Sequence, residues 1–161
     1  MTVNTGRTVS KFCDFRIDDS GSTLRSIPIN SINGVGLTFA EVNLTAFQDA
    51  VQGKLFETPD CVITIAGPFD TTAVQAVGTL SGSHTVLSGI VGLLVPLTLD
   101  VHVGIRQTYV EGEPQFGITA TAANGFLCSD YQVNINDGTY TATFVMFPGS
   151  AAPAWGVASE T

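Results

Sequence analysis

The chain has 161 residues, of which 12% are charged and 44% hydrophobic, and its six Lys and Arg against fourteen Asp and Glu give a formal net charge of −8. One hydrophobic core is expected at this length, and so few, scattered cations exclude a surface built to grip phosphate. A chain this poor in charge is also a poor candidate for a lone soluble monomer, and the composition favours one that hides part of itself in an assembly.

Residues 1–11 are polar and aperiodic, which predicts a flexible arm able to order on assembly, and they hold no apolar stretch of the kind a secretory signal needs. Alternation over 12–18 predicts a first strand, with Phe15 and Ile17 on one face and Asp14, Arg16 and Asp18 on the other. Asp19, Ser20, Gly21 and Ser22 predict a turn, and a second strand is expected over 25–32, with Pro28 marking an edge or entry position.

Residues 37–58 read as a long loop between two apolar runs, 27–37 and 61–67. Long irregular loops are uncommon in compact domains and are usually functional or disordered. This one carries Phe39, Leu44, Phe47, Val51, Leu55 and Phe56, which disfavours disorder and points to burial against another copy or another protein. Within it Thr45, Phe47 and Asp49 form a T-x-F-x-D pattern followed by Gly53.

After a strand over 61–66, residues 71–80 predict the one helix, capped by Asp70 or Thr71 and with Ala73, Val74, Val77 and Leu80 at helical spacing. The cleanest alternation follows over 97–105, with Leu97, Leu99, Val101, Val103 and Ile105 on one face and Thr98, Asp100, His102 and Gly104 on the other. A projecting tip is expected over 106–116 around Tyr109 and Phe116, then a strand over 118–123 with Thr119 and Thr121 outward. Asn124 and Gly125 predict a hairpin turn, and a second, at 136–138, joins strands over 126–136 and 139–147. Residues 148–161 form a tail in which Trp155 is expected to pack on a neighbouring surface. The sum is a mainly β chain: an antiparallel β-barrel or sandwich of about eight strands with one short α-helix and a long projecting loop.

Three cysteines, Cys13, Cys61 and Cys128, show no paired spacing, so buried free thiols in a reducing compartment are expected. The most apolar window, 89–99, is too short to span a bilayer and is stopped by Pro96 and Asp100, so no membrane segment is expected. His102 near Asp100 lacks a third partner for catalysis, Asp14, Asp18 and Asp19 lack the ligand pattern of a calcium loop, and the glycines at 34–36 and 89–92 lack a phosphate-loop lysine. No catalytic residue, metal or cofactor is expected.

Taken in order, these features resemble the major tail tube proteins of long-tailed bacteriophages with flexible tails. The matching residues are Asp18 to Gly21 followed by Arg25, then Ile32, Asn33 and Gly34 before the long loop, and the Thr45, Phe47, Asp49, Gly53 pattern. Next come I-T-I-A-G-P-F-D at 63–70 and a closing block over 128–155 that holds Tyr131 and Val133, a polar turn and T-A-T-F at 141–144. Each match is weak alone, and their order and spacing carry the resemblance.

The resemblance implies a single domain over 1–161 that self-assembles into rings, usually six-fold, stacked into the tube that delivers viral DNA. It implies contacts with a tape-measure protein and with tail tip and terminator proteins, assembly in the host cytoplasm and residence in the virion tail. Double-stranded DNA would pass through the lumen without specific binding. Subunit contacts are expected from Phe39, Leu44, Thr45, Phe47, Asp49, Phe56, Tyr109, Phe116 and Trp155. The lumen is expected to be lined by Asp60, Thr64, Thr98, Asp100, His102, Thr119 and Thr121. The alternative is a capsid decoration or fibre-like binding module.

Overall fold

Alternation along β1 (Cys13–Asp18) turns Phe15 and Ile17 inward, and both are fully buried. The same period holds in β7 (Leu99–Val103), where Leu99 and Val101 are buried, and in β6 (Ile63–Pro68), where Ile63 and Ile65 are. Strands with one apolar face must cover it, and here two antiparallel sheets cover each other. The computed structural model describes residues 6–158, so the arm's first five residues and the last three of the tail lie outside the described residues.

The first sheet has the order β11-β8-β7-β1-β2, built from β2 (Leu24–Ser26), β8 (Pro114–Ile118) and β11 (Ala154–Val157) beside β1 and β7. The second has the order β3-β6-β10-β9, adding β3 (Ser31–Asn33), β9 (Phe126–Asn134) and β10 (Thr139–Met146) to β6. Phe15, Leu99 and Phe116 from one sheet meet Ile65, Phe126 and Phe144 from the other in a single core cluster, and Phe15 and Phe144 pack rings 5.4 Å apart. Each such side chain contributes roughly 1.5–3 kcal/mol on burial. Neither sheet closes, so the architecture is the sandwich and not the barrel.

Several sequence expectations need correction. The helix is not at 71–80 but in α1 (Ser83–Leu87), which buries Val86 and Leu87. Residues 71–80 form a loop beside β2 that folds back on itself: Thr79 N donates to the Ala76 carbonyl, and Gly82 N donates to the Thr72 carbonyl across its ends. Arg25 Nη1 donates to the Gln75 carbonyl at 2.7 Å, Gly78 N donates to Ser26 Oγ at 3.1 Å, and Leu80 forms a bridge with Ser26. These tertiary bonds outweigh a weak helical period, and Gly78 at φ +93° is incompatible with a helix. Asp70 does cap, but it accepts the Thr72 N–H in a local turn and starts no helix.

The expected strand over 25–32 is two strands in two sheets, because Pro28 has no N–H to keep the ladder going. The Asn124–Gly125 turn joins β8 to β9 across the sandwich and makes no hairpin. The turn before Thr139 does, with Gly138 at φ +66° between β9 and β10. The tail enters the first sheet, where Trp155 of β11 stands opposite Phe116 of β8.

The long loop is also ordered. It is a hairpin of β4 (Thr38–Asn43) and β5 (Lys54–Asp60) that forms its own two-stranded sheet. Its neck requires glycine at position 34, where φ is +83° and a Cβ would meet the Val62 carbonyl oxygen at 1.9 Å.

Candidate functional site

A two-stranded hairpin is marginal in water unless something covers it. Nothing within the described chain covers β4 and β5, and their side chains stay exposed on both faces. Cross-strand pairing sets Val42 opposite Leu55 on one face. On the other face Phe39 and Phe56 pack rings 5.6 Å apart beside an exposed Lys54–Glu41 ion pair of 3.1 Å, a contact worth little by itself.

The tip between the strands is tightly built. Gly53 N donates to Thr45 Oγ1 at 2.8 Å, and Leu44 N donates to the Gly53 carbonyl at 2.8 Å. Asp49 Oδ2 accepts from Ala46 N at 2.8 Å, and the Asn43 side chain accepts from Thr45 N at 2.9 Å. The polar members of the T-x-F-x-D-x-x-x-G pattern are therefore committed to the tip itself. What the tip presents is Phe47, whose relative exposure is 107%.

Leu44, Phe56 and Trp155 are likewise more than half exposed, and Phe39 is 44% exposed. Two expected contact residues are not at the surface. Phe116 is wholly buried in the core and Tyr109 is 7% exposed, because the strand β8 starts inside the expected tip and the Tyr109 ring folds down on the sheet.

The residues expected on one lumen face are dispersed. Thr64 lies in β6 of the second sheet, Asp60 ends β5, and Thr119 and Thr121 fall in the connection after β8. Asp100 and His102 sit on the outward side of β7, yet His102 is only 3% exposed. Its ring meets Tyr109 edge-on at 4.5 Å, and Tyr109 also lies 5.0 Å from the Arg16 guanidinium. Arg16, 2% exposed, pairs with Asp14 Oδ2 at 2.7 Å, and Ser26 Oγ donates to the same carboxylate at 3.3 Å. The outer face of the first sheet is thus a buried polar layer under the 104–113 segment. Period-2 patterning identifies which residues share a face but not what covers that face.

The outer face of the second sheet differs. Register aligns Asn33, Thr64, Thr143 and Asp130 in one row and Ser31, Ala66, Thr141 and Gln132 in the next. Every one of these is half-buried or exposed, none is Lys or Arg, and β3 leaves one side unpaired, whereas the start of β9 is bonded on its outer side through Phe126 to Leu97 and through Cys128 to Gly92, and only the rest of that edge is open.

At the end of the sandwich opposite the hairpin lies a groove of about 580 Å³, lined by Phe12, Ile27, Pro28, Ile29, Leu80 and Tyr109 among others. The ends are fixed by topology. The hairpin leaves from the start of β6, level with the start of β9, which Leu97 just before β7 joins through Phe126. The groove sits at the start of β1, level with the end of β7, since Cys13 pairs with Val103. Lys11 lines the groove, and Arg7 and Arg106 line a shallow pocket next to Phe12. Half of the six cations in the chain gather there, a cluster that sequence could not show because β1–β7 pairing makes it.

The thiols are unreactive by environment: burial, with Asp14 beside it, pushes Cys13 up to about 11, and burial likewise pushes Cys128 up to about 11. All three cysteines are free.

No protein-family model matches the chain, and no curated protein matches it. Solved structures do. A chain of the tube-terminating cap of the anti-feeding prophage superposes with a TM-score of 0.56 at 7% identity, covering 98% of this chain and 97% of that one. A chain of the sheath–tube complex of an extracellular contractile injection system, in its extended state, gives a TM-score of 0.52 at 8% identity, covering 96% and 95%. The likeness spans both chains almost completely and shows a shared fold.

Proposed function

We propose that this chain is a structural protein of a phage-like tail, a subunit that self-assembles into stacked rings to form the tail tube through which DNA is delivered. The observation that carries the reading is the β4–β5 hairpin. It is ordered, apolar on both faces and tipped by a fully exposed Phe47 that its own turn holds outward. Such a surface needs a partner. Full-length likeness to chains from a tube-terminating cap and a sheath–tube complex supports a partner that is another subunit of a tubular assembly.

In this reading the polar outer face of the β3-β6-β10-β9 sheet lines the channel. The open edge of β3 and the part of β9 beyond Cys128 join those of neighbouring subunits around a ring, which removes exposed strand edges. A lumen of threonine, asparagine and aspartate offers DNA no cations and so no counterion release to hold it. The face that includes Asp100 and His102 is filled by its own chain and takes no part. The role is structural, without a catalytic step, and six-fold rings, a tape-measure protein and tip and terminator proteins are the partners this reading brings with it.

The test is negative-stain electron microscopy of the purified protein across a concentration series, beside Phe47→Ala. Hollow tubes or stacked rings from the native chain, and native circular dichroism without polymers from the variant, are expected. A native chain that stays monomeric, or that closes into compact trimers of the kind a decoration module forms, overturns the reading.

A further inference from the structure

We propose that the pocket over Asp18 binds an alkylammonium group, the head and stem of a lysine side chain or of a free primary amine. The site lies at the end of β1, between the turn over 19–23, the segment before β7 and the connection after β8. It shares no residue with the β4–β5 hairpin or with the polar rows of the second sheet, and nothing in it depends on the tube reading.

The observation that carries it is a buried carboxylate without a counter-charge. Asp18 is 5% exposed, its Oδ2 accepts the Thr98 N–H at 2.9 Å, and the charge beside it is that of Asp19, which repels it. Among the described residues no Lys or Arg pairs with Asp18. Arg25, the cation nearest in the turn, is spent on Asp19 Oδ2 at 2.9 Å and on the Gln75 carbonyl at 2.7 Å. Asp19 is further satisfied by the N–H groups of Gly21 and Thr23. Of two neighbouring carboxylates the turn therefore neutralises one and leaves the other. A buried charge left in that state is costly until a cation reaches it.

The lining of the pocket selects the kind of cation. About 360 Å³ opens onto Asp18, within the size class of ligand clefts, roughly 300–1,000 Å³. Val95, Pro96, Ala120 and Ala122 supply apolar wall, and Ser22 adds a hydroxyl to the lining. The Thr98 and Thr121 hydroxyls already accept backbone N–H groups, from Ala120 at 2.8 Å and from Asn124 at 3.1 Å. A calcium ion takes about six to eight oxygens, more than this leaves. An ammonium head asks for fewer acceptors, and its methylene stem lies along apolar surface. A carboxylate at the floor and an apolar wall above it match that shape.

The experiment titrates the full native chain with n-butylammonium chloride, and with n-butanol as its uncharged match, by calorimetry and by the amide chemical shifts of Ser22 and Thr98. Asp18→Asn keeps the shape and an acceptor but removes the charge. Ala122→Tyr, at an exposed lining position, fills the pocket and leaves the carboxylate in place. The native chain is expected to bind the ammonium and not the alcohol. Each variant is expected to bind it at least about tenfold more weakly, the factor that one charge-assisted hydrogen bond is worth. No binding by the native chain, butanol binding as tight as that of the ammonium, or binding that either variant leaves unchanged overturns the site. Titration of assembled material separates the two sources of the ligand. A site still open to butylammonium takes a free amine, and one that closes on assembly and reopens with Lys11→Gln or Lys54→Gln takes a neighbouring subunit's lysine.

Discussion

The hydroxyl of Thr45 accepts the backbone N–H of Gly53 at 2.8 Å, a bond that closes the hairpin tip across eight residues and holds Phe47 outside every intramolecular contact. This clasp accounts for the threonine at position 45, while residue 53 contributes only its backbone N–H. It also predicts that Thr45→Val, which keeps shape and removes the acceptor, frees the tip without disturbing the fold. A side-chain hydrogen bond contributes about 1 kcal/mol, and because the tip lies far from the core the loss stays local. Hydrogen exchange at the Gly53 amide is expected to accelerate about fivefold, with unchanged global unfolding and slower polymer growth. Unchanged exchange at Gly53 would show that the clasp does not hold the tip.

The buried pair Arg16–Asp14 carries a different prediction. Arg16 is 2% exposed and Asp14 is 16% exposed, and a pair with one partner removed leaves an uncompensated buried charge. Arg16→Met is therefore expected to lower stability by about 3 kcal/mol, the low end of the usual range because Asp14 keeps some contact with water. Restoring neutrality with Asp14→Leu in the same chain is expected to recover more than half of that loss. Urea unfolding of the native chain and of both variants measures it. An Arg16→Met chain as stable as the native one would mean that the layer beneath Tyr109 is solvated.

How much of this was readable from sequence depended on which force set each element. Strands such as β1, β7 and β10 were legible because one apolar face enforces period 2, and the Gly138 turn because its backbone needs a positive φ. The folded-back loop over 71–80 was not, since its conformation is held by Arg25 and Ser26 some 50 residues away in the chain. The apolar character of the hairpin is plain in the sequence, where Thr45, Phe47 and Asp49 stand together as one pattern. That Thr45 and Asp49 bond within the turn while Phe47 points outward depends on how the tip closes, which spacing alone does not fix. Tyr109 and His102 look like surface residues in sequence, and only the fold of the 104–113 segment places them against each other.

Asp19 sets part of the acid sensitivity. Burial by itself would raise its pKa, but the Thr23 N–H, the Arg25 guanidinium at 2.9 Å and the Gly21 N–H together hold it below the model-peptide value of 3.8. A carboxylate whose folded pKa is depressed contributes stability that is present above its unfolded pKa and lost as pH falls through the folded one. Asp18 runs the other way: burial dominates and raises it, so its ionisation costs stability as pH rises through that window. Asp19→Asn is therefore expected to be less stable than the native chain at pH 7, with the gap narrowing below pH 3.8. Urea midpoints at pH 7 and pH 3 measure the gap. A constant gap would mean that Asp19 acts through turn geometry alone.

The outer face of the second sheet can be tested by adding the charge it lacks. Thr141 is exposed in the middle of that face, registered between Ala66 and Gln132, and no core side chain touches its outward side. Thr141→Lys should therefore fold and assemble as the native chain does, since surface substitutions of this kind change stability by less than about 0.5 kcal/mol. If the face lines a channel, each ring gains one cation per subunit, all pointing at the axis. DNA is then held by counterion release, with an affinity that falls steeply as salt rises. Thr85→Lys, on the exposed side of α1, adds the same charge elsewhere and serves as the control. The expected outcome is slowed passage of DNA and salt-sensitive retention in Thr141→Lys tubes alone. Equal retention by the two variants would place the Thr141 face outside the lumen.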